Sequence, residues 1–191
     1  MESIEQEGTD MTAYRIADLT AAFSRIDATP DDRVPQLDKR LRNLVSRHYL
    51  PPAERQGRAD LFSLPTVCAL RLAERATVFG LDRVQLDDLL RFLQSAPDHP
   101  IRWREGDGFR EALTRIEIAL ERARVGEDFH IGLAMGREGV AVPTAWWQPE
   151  PVTPGAAAIL DTMAQDRPEP DAVFRLPAGR LIRELLGALG A

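Results

Sequence analysis

The sequence predicts a mainly α fold with minor β (α+β), and three observations carry that expectation. Leu37, Leu41 and Leu44 repeat at helical spacing with Val45 beside them, a stripe one helix face wide. Pro51-Pro52 then stops that helix, and a glycine loop, Arg55-Gln56-Gly57-Arg58, leads to a new apolar segment at Leu61-Phe62. Further on, FHIGLAM and VAVPTAWW flank a Gly-Arg-Glu-Gly tip, the pattern of a β-hairpin.

Taken in order, residues 1–12 hold four acids and no base and are expected to form a disordered acidic tail. Tyr14 to Phe23 places Ile16, Leu19, Ala22 and Phe23 on one face of a short helix. SRIDATPDDRVP interrupts it, with Thr29-Pro30-Asp31-Asp32 suited to capping a brief helical turn. The next helix is expected from Gln36 to His48, with Lys39, Arg42, Asn43 and Ser46 facing outward. Ser63 is placed to cap a third helix, expected from Pro65 to Phe79 and ended by Gly80, and a fourth is expected from Gln85 to about Ser95.

Pro97-Asp98-His99-Pro100 reads as a linker, dividing a domain of residues 13–96 from an α+β domain of residues 101–191. That second domain is expected to dimerise the protein or to receive a signal. Its elements are an amphipathic helix from Phe109 to about Ala123, the hairpin Phe129–Met135 and Val140–Trp147, a helix at Ala156–Gln165, a strand Ala172–Leu176 and a helix Ala178–Leu189.

Charge locates the functional region. The net charge is -6, yet Arg33 to Arg75 holds nine basic and four acidic residues. A basic island in an acidic protein is the electrostatic footprint of nucleic-acid binding. The order of helix, turn, basic helix, Pro-ended turn, arginine-bearing glycine loop and helix is that of a winged helix-turn-helix, which lays one helix in the major groove and a loop beside the phosphates. Phosphate contacts call for long, permanently charged donors, and arginine supplies a planar fork of them. On this ground Lys39, Arg40, Arg42, Asn43 and Arg47 on the helix, with Arg55 and Arg58 on the wing, are the candidate DNA-binding residues.

At these positions the chain resembles the MerR family of bacterial transcriptional regulators. KRLRNLV, HYLPPAER, QGRADLF and VQLDDLLRFL stand in the order and near the spacing of that family's recognition helix, following turn, wing and helix pair. The resemblance spans Tyr14 to Leu93, and it implies a groove-facing role for Lys39, helix and post-turn arginines at Arg42 and Arg55, and a wing aromatic at Phe62. The chain departs from the family pattern at Asn43-Leu44, at Ala59-Asp60 and in the long loop before the basic helix. Asp60 would repel phosphate if it pointed outward, so binding by the wing falls to Arg55 and Arg58.

Other chemistries find little support. Three histidines share no metal-ligand spacing, and the single cysteine, Cys68, sits among apolar residues as a structural thiol. No nucleotide-binding glycine loop, nucleophile elbow or HExxH occurs, so neither an enzyme nor a cofactor is expected. One of the Trp146-Trp147 rings is expected in the core. With no apolar run of membrane-spanning length, a cytoplasmic protein is expected. The resulting expectation is a sequence-specific regulator that binds double-stranded DNA as a homodimer, with a possible protein partner at the C-terminal domain. A phage-type excisionase or DNA-architectural protein, and an interaction adaptor that has lost DNA binding, are the alternatives. The leucines of the terminal helix, Leu185 and Leu189 above all, are expected to form part of the dimer surface.

Overall fold

A computed structural model of the chain describes residues 13–48, 50–97, 113–136, 138–146 and 170–191. Within them the expected mixture of helix and strand is present, as six α-helices and two three-stranded sheets. The acidic tail, the linker residues 98–100 and the helix expected at Ala156–Gln165 lie outside the described residues.

Strand β1, Ala13–Tyr14, leads into α1, Ile16–Ile26. The helix begins two residues later than its spacing suggests because Tyr14 is taken by a strand, pairing with Phe62. Asp18 then accepts the Arg15 amide N–H at 3.1 Å, satisfying one of the first-turn donors. A 3-10 turn, Asp31–Arg33, carries the chain into α2, Val34–Arg47. That helix starts ahead of Gln36, since a proline in the first turn costs no hydrogen bond there. Leu37, Leu41 and Leu44 are buried as the stripe requires.

After Leu50 and the two prolines, β2 (Glu54–Gln56) and β3 (Ala59–Ser63) form a hairpin in which Arg55 stands opposite Asp60. Gly57 opens its two-residue turn at φ 64, a left-handed value that glycine adopts without steric cost. Strand β3 also pairs with β1, giving the order β1-β3-β2, so the start of α1 and the wing are fixed to each other. Helices α3, Leu64–Val78, and α4, Arg83–Gln94, follow. Helix α4 starts before Gln85 because Asp82 caps it, accepting the Gln85 amide N–H at 2.9 Å.

Helix α5, Arg115–Arg124, is capped by Thr114, and the part of the amphipathic segment before residue 113 lies outside the described residues. Strands β4 (His130–Met135), β5 (Ala141–Trp146) and β6 (Ala172–Leu176) form an antiparallel sheet in the order β5-β4-β6. Helix α6, Ala178–Leu189, ends the fold at the residues its sequence indicates.

Leu19 and Phe23 of α1, Leu70 and Leu72 of α3, Ile116 of α5 and Ile131 of β4 belong to one continuous buried cluster, together with Ile182 and Leu185 of α6. The Arg25 guanidinium of α1 donates to the Ala188 carbonyl at 3.1 Å, tying the first helix to the last. This arrangement corrects the expectation for the terminal helix. Leu181, Ile182, Leu185 and Leu186 are buried within the protomer because α6 is wedged against α1, α3 and α5 as well as β4. Its wide apolar surface matches several intramolecular neighbours, which bury Leu185 fully and Leu189 in part. Among the described residues no helix is long and apolar enough to cross a membrane.

Candidate nucleic-acid interface

Two sides of α2 emerge once the wing is in place, because positions four apart share a stripe while neighbours diverge by about 100°. Arg42 and Ser46 face a cleft of about 760 Å³ between α2, the start of α1 and the β2–β3 hairpin. Lys39, Arg40, Asn43 and Arg47 line a second cleft of about 390 Å³ toward the α3–α4 turn, where Arg83 joins them. The seven candidate residues therefore do not form a single patch. They flank the exposed ridge of α2, five on the helix and two on the hairpin.

Their electrostatic states differ. Lys39 and Arg47 are exposed, and among the described residues neither forms an ion pair. Arg58 is likewise exposed and unpaired at the hairpin tip. Arg42 is held by Asp38, whose two oxygens accept from Nε at 2.7 Å and from Nη2 at 3.2 Å. The Arg42 hydrogen bond is the main cause that holds the Asp38 carboxyl below its usual range, and the same bond raises Arg42. Thr20 of α1 also donates to Asp38 at 3.2 Å, so Arg42 is oriented from the neighbouring helix. Its remaining N–H groups stay available on the solvent side.

Arg55 and Arg40 need correction. The hairpin register sets Arg55 directly against Asp60, and its Nε donates to that carboxylate at 2.8 Å. Asp60 thus offsets Arg55 locally, leaving Arg58 as the wing's unpaired cation, with exposed Glu54 also on the hairpin. Arg40 turns inward, where Nη2 lies 3.0 Å from the buried Glu74 carboxylate and Nε is enclosed without a partner. A guanidinium so engaged holds α2 to α3, and its charge is largely offset by Glu74 although the side chain remains 42% exposed. Phe62, the wing aromatic, is buried and anchors the hairpin.

Arg15 was not legible from the sequence as part of this surface. It lines the larger cleft and donates from Nη2 to Gln56 on the wing at 2.7 Å. Only the β1–β3 pairing brings it there, across 41 residues of chain. On the other side of α2, at its C-terminal end, His48 Nδ1 lies 2.5 Å from Asp87, fastening the helix terminus to α4. Cys68 is fully buried, and that burial pushes its thiol up to about 12, which leaves no thiolate for chemistry. Among the described residues no three His, Cys, Asp or Glu side chains gather as metal ligands.

The assembled surface offers long cationic donors on a helix beside a rigid hairpin, a chemistry suited to phosphate and base-edge contacts. No family model, curated protein or solved structure matches this chain, so the reading of the surface rests on its own geometry.

Proposed function

We propose that the protein is a DNA-binding transcriptional regulator of winged helix-turn-helix type, similar to the MerR family in its N-terminal part. In this reading α1 and α2 are the helix-turn-helix and the β2–β3 hairpin is the wing. The observation that carries it is the set of exposed cations around α2, Lys39, Arg42, Arg47 and Arg58, in a chain whose net charge is -6. An accidental surface of such a protein would be acidic on average. Helix α2, with 14 residues, is about 21 Å long, enough to lie in a major groove about 12 Å wide and present Lys39, Asn43 and Arg47 along its length. Action as a homodimer on paired half-sites would double that footprint.

The test is a fluorescence-anisotropy titration against pooled genomic fragments at several salt concentrations. Four phosphate contacts per protomer give a log-log slope of roughly -3.6, and a dimer twice that. Salt-independent association, or none, would refute the assignment.

A second reading, an interaction adaptor, draws on the apolar corner between α3 and α4. Phe79 there is 66% exposed and Val84 67%, and both are available to a protein partner. It predicts partner capture that is insensitive to Lys39→Ala and Arg47→Ala, and no DNA shift.

A further inference from the structure

Behind α2, away from the wing, lies a chain of charged groups that the DNA reading does not use. Arg71 of α3 is 1% exposed, and its Nη1 and Nη2 donate to the two oxygens of Asp27, just past the end of α1, at 2.6 and 2.7 Å. Glu74, also 1% exposed, lies 3.4 Å from Arg71 and 3.0 Å from Arg40 of α2. Arg75 approaches Asp27 at 3.5 Å. Three arginines therefore share two carboxylates, and the network holds one more positive than negative charge. Buried or half-buried charges are costly unless matched. The Nε atoms of Arg71 and Arg40 are enclosed with no partner, which adds to the demand for an acceptor.

The Asp27, Arg71 and Arg75 end of this network borders a cleft of about 560 Å³ between α1, α3 and α6. Arg25, Asp27, Arg71, Arg75, Arg180 and Glu184 line it. Arg180 and Glu184 pair loosely at 3.6 Å, and among the described residues Arg25 is engaged only with the neutral Ala188 carbonyl. Adding these three groups to the network raises its excess to two positive charges. Guanidinium forks converging on a cleft with that excess fit an oxyanion carrying about two negative charges.

We propose that this cleft binds a small oxyanion, a phosphate or carboxylate compound of about two negative charges, and that its occupancy reaches α2 through Asp27, Arg71, Glu74 and Arg40. An oxyanion at Arg75 and Arg180 draws Arg75 from Asp27 and sets a like charge beside the Asp27 carboxylate, which repels it. Asp27 then loosens from Arg71, Arg71 turns toward Glu74, and Glu74 releases Arg40. The ligand-sensitive element is the helix that carries Lys39 and Arg47, so the regulatory consequence rests on the DNA reading, whereas binding and relay do not.

The test uses the full chain without DNA, at constant ionic strength balanced with sodium chloride. Pyrophosphate and malonate are the two probes, and the one with the larger effect identifies the chemical class. At about ten times its Kd the effective probe should raise Tm by roughly 3–6 °C. Arg75→Gln with Arg180→Gln, both at the rim, should abolish that rise, while Lys39→Gln with Arg47→Gln should preserve it. No rise with either probe overturns the site, as does a rise that survives the first pair of substitutions or is lost in the second. For the relay, amide exchange of residues 41–47 should change on pyrophosphate or malonate binding in the wild type. Glu74→Gln, or Arg40→Gln should the former not fold, should keep the Tm rise and lose the exchange response. An undiminished exchange response in those variants overturns the relay.

Discussion

Replacing Asp27 with asparagine isolates the energetics of the buried charge network, because the change keeps the side-chain shape and removes the charge. Arg71 would lose one of two close acceptors and meet an amide NH2 in its place, a donor facing donors. Removing one partner of a buried ion pair costs about 3–5 kcal/mol, and the lower end applies here because Asp27 is 21% exposed and Glu74 remains near Arg71. A loss of about 3 kcal/mol in a chain of this size lowers Tm by roughly 6–12 °C. The pH dependence adds a second constraint. Burial acts to raise the Asp27 carboxyl, but the hydrogen bonds and charge of Arg71, with Arg75 and Arg40 behind, bring it below the usual value. A carboxyl lowered on folding contributes stability above its unfolded pKa of about 3.9, and that stability is lost as pH falls through the lower folded value. Glu74 runs the other way, since burial pushes it up and its contribution fades as pH rises through its folded value. Glu74 is common to both proteins, so it largely cancels in their difference. Thermal unfolding followed by circular dichroism should show the full gap from pH 7 down to about 5, closing toward pH 3. A gap under about 2 °C at pH 7, or one unchanged at low pH, would refute the reasoning.

Four further outcomes are expected. Leu185→Ala should lose about 2–5 kcal/mol in urea denaturation, and Leu185→Glu should fail to fold cooperatively; a well-folded monomer from the latter would return α6 to the role of an interface. Arg47→Ala should flatten the salt slope of DNA binding by about one unit with Tm unchanged, whereas Arg40→Ala should lower Tm; the reverse pairing would undo the division drawn between them. Cys68, with its thiol pushed up to about 12, should react with an aromatic disulfide reagent only as fast as the chain opens, and rapid labelling of the native protein would contradict its burial. Gly57→Val should destabilise the hairpin by about 1–2 kcal/mol and Gly57→Asn by less, since asparagine tolerates a left-handed φ; equal effects would place the strain elsewhere.

Most of the described helices and strands were legible from residue order alone. Local signals suffice for that: the Leu37, Leu41 and Leu44 stripe for α2, Gly57 for the hairpin turn, and the leucine spacing of α6, whose bounds match the expectation. The sequence also located the basic island, since charge per segment is a sum over residues. Helix starts were less legible where strand pairing or capping decides them, as at Tyr14 and Asp82.

Which charges are free emerges from packing between elements. Arg40 and Arg47 look alike in sequence and, two turns apart, share a side of α2, yet only the first has Glu74 beside it while the second stays in solvent. Arg55 reads as a phosphate donor until the hairpin register sets Asp60 opposite it. The leucines of α6 suggest an interface until α1, α3 and α5 are seen to cover them. Arg15 and the Asp27, Arg71, Glu74 and Arg40 network join groups tens of residues apart. Periodicity records which face of an element is apolar, but the partner that face or charge meets is set by packing between elements distant along the chain, and no local pattern encodes it.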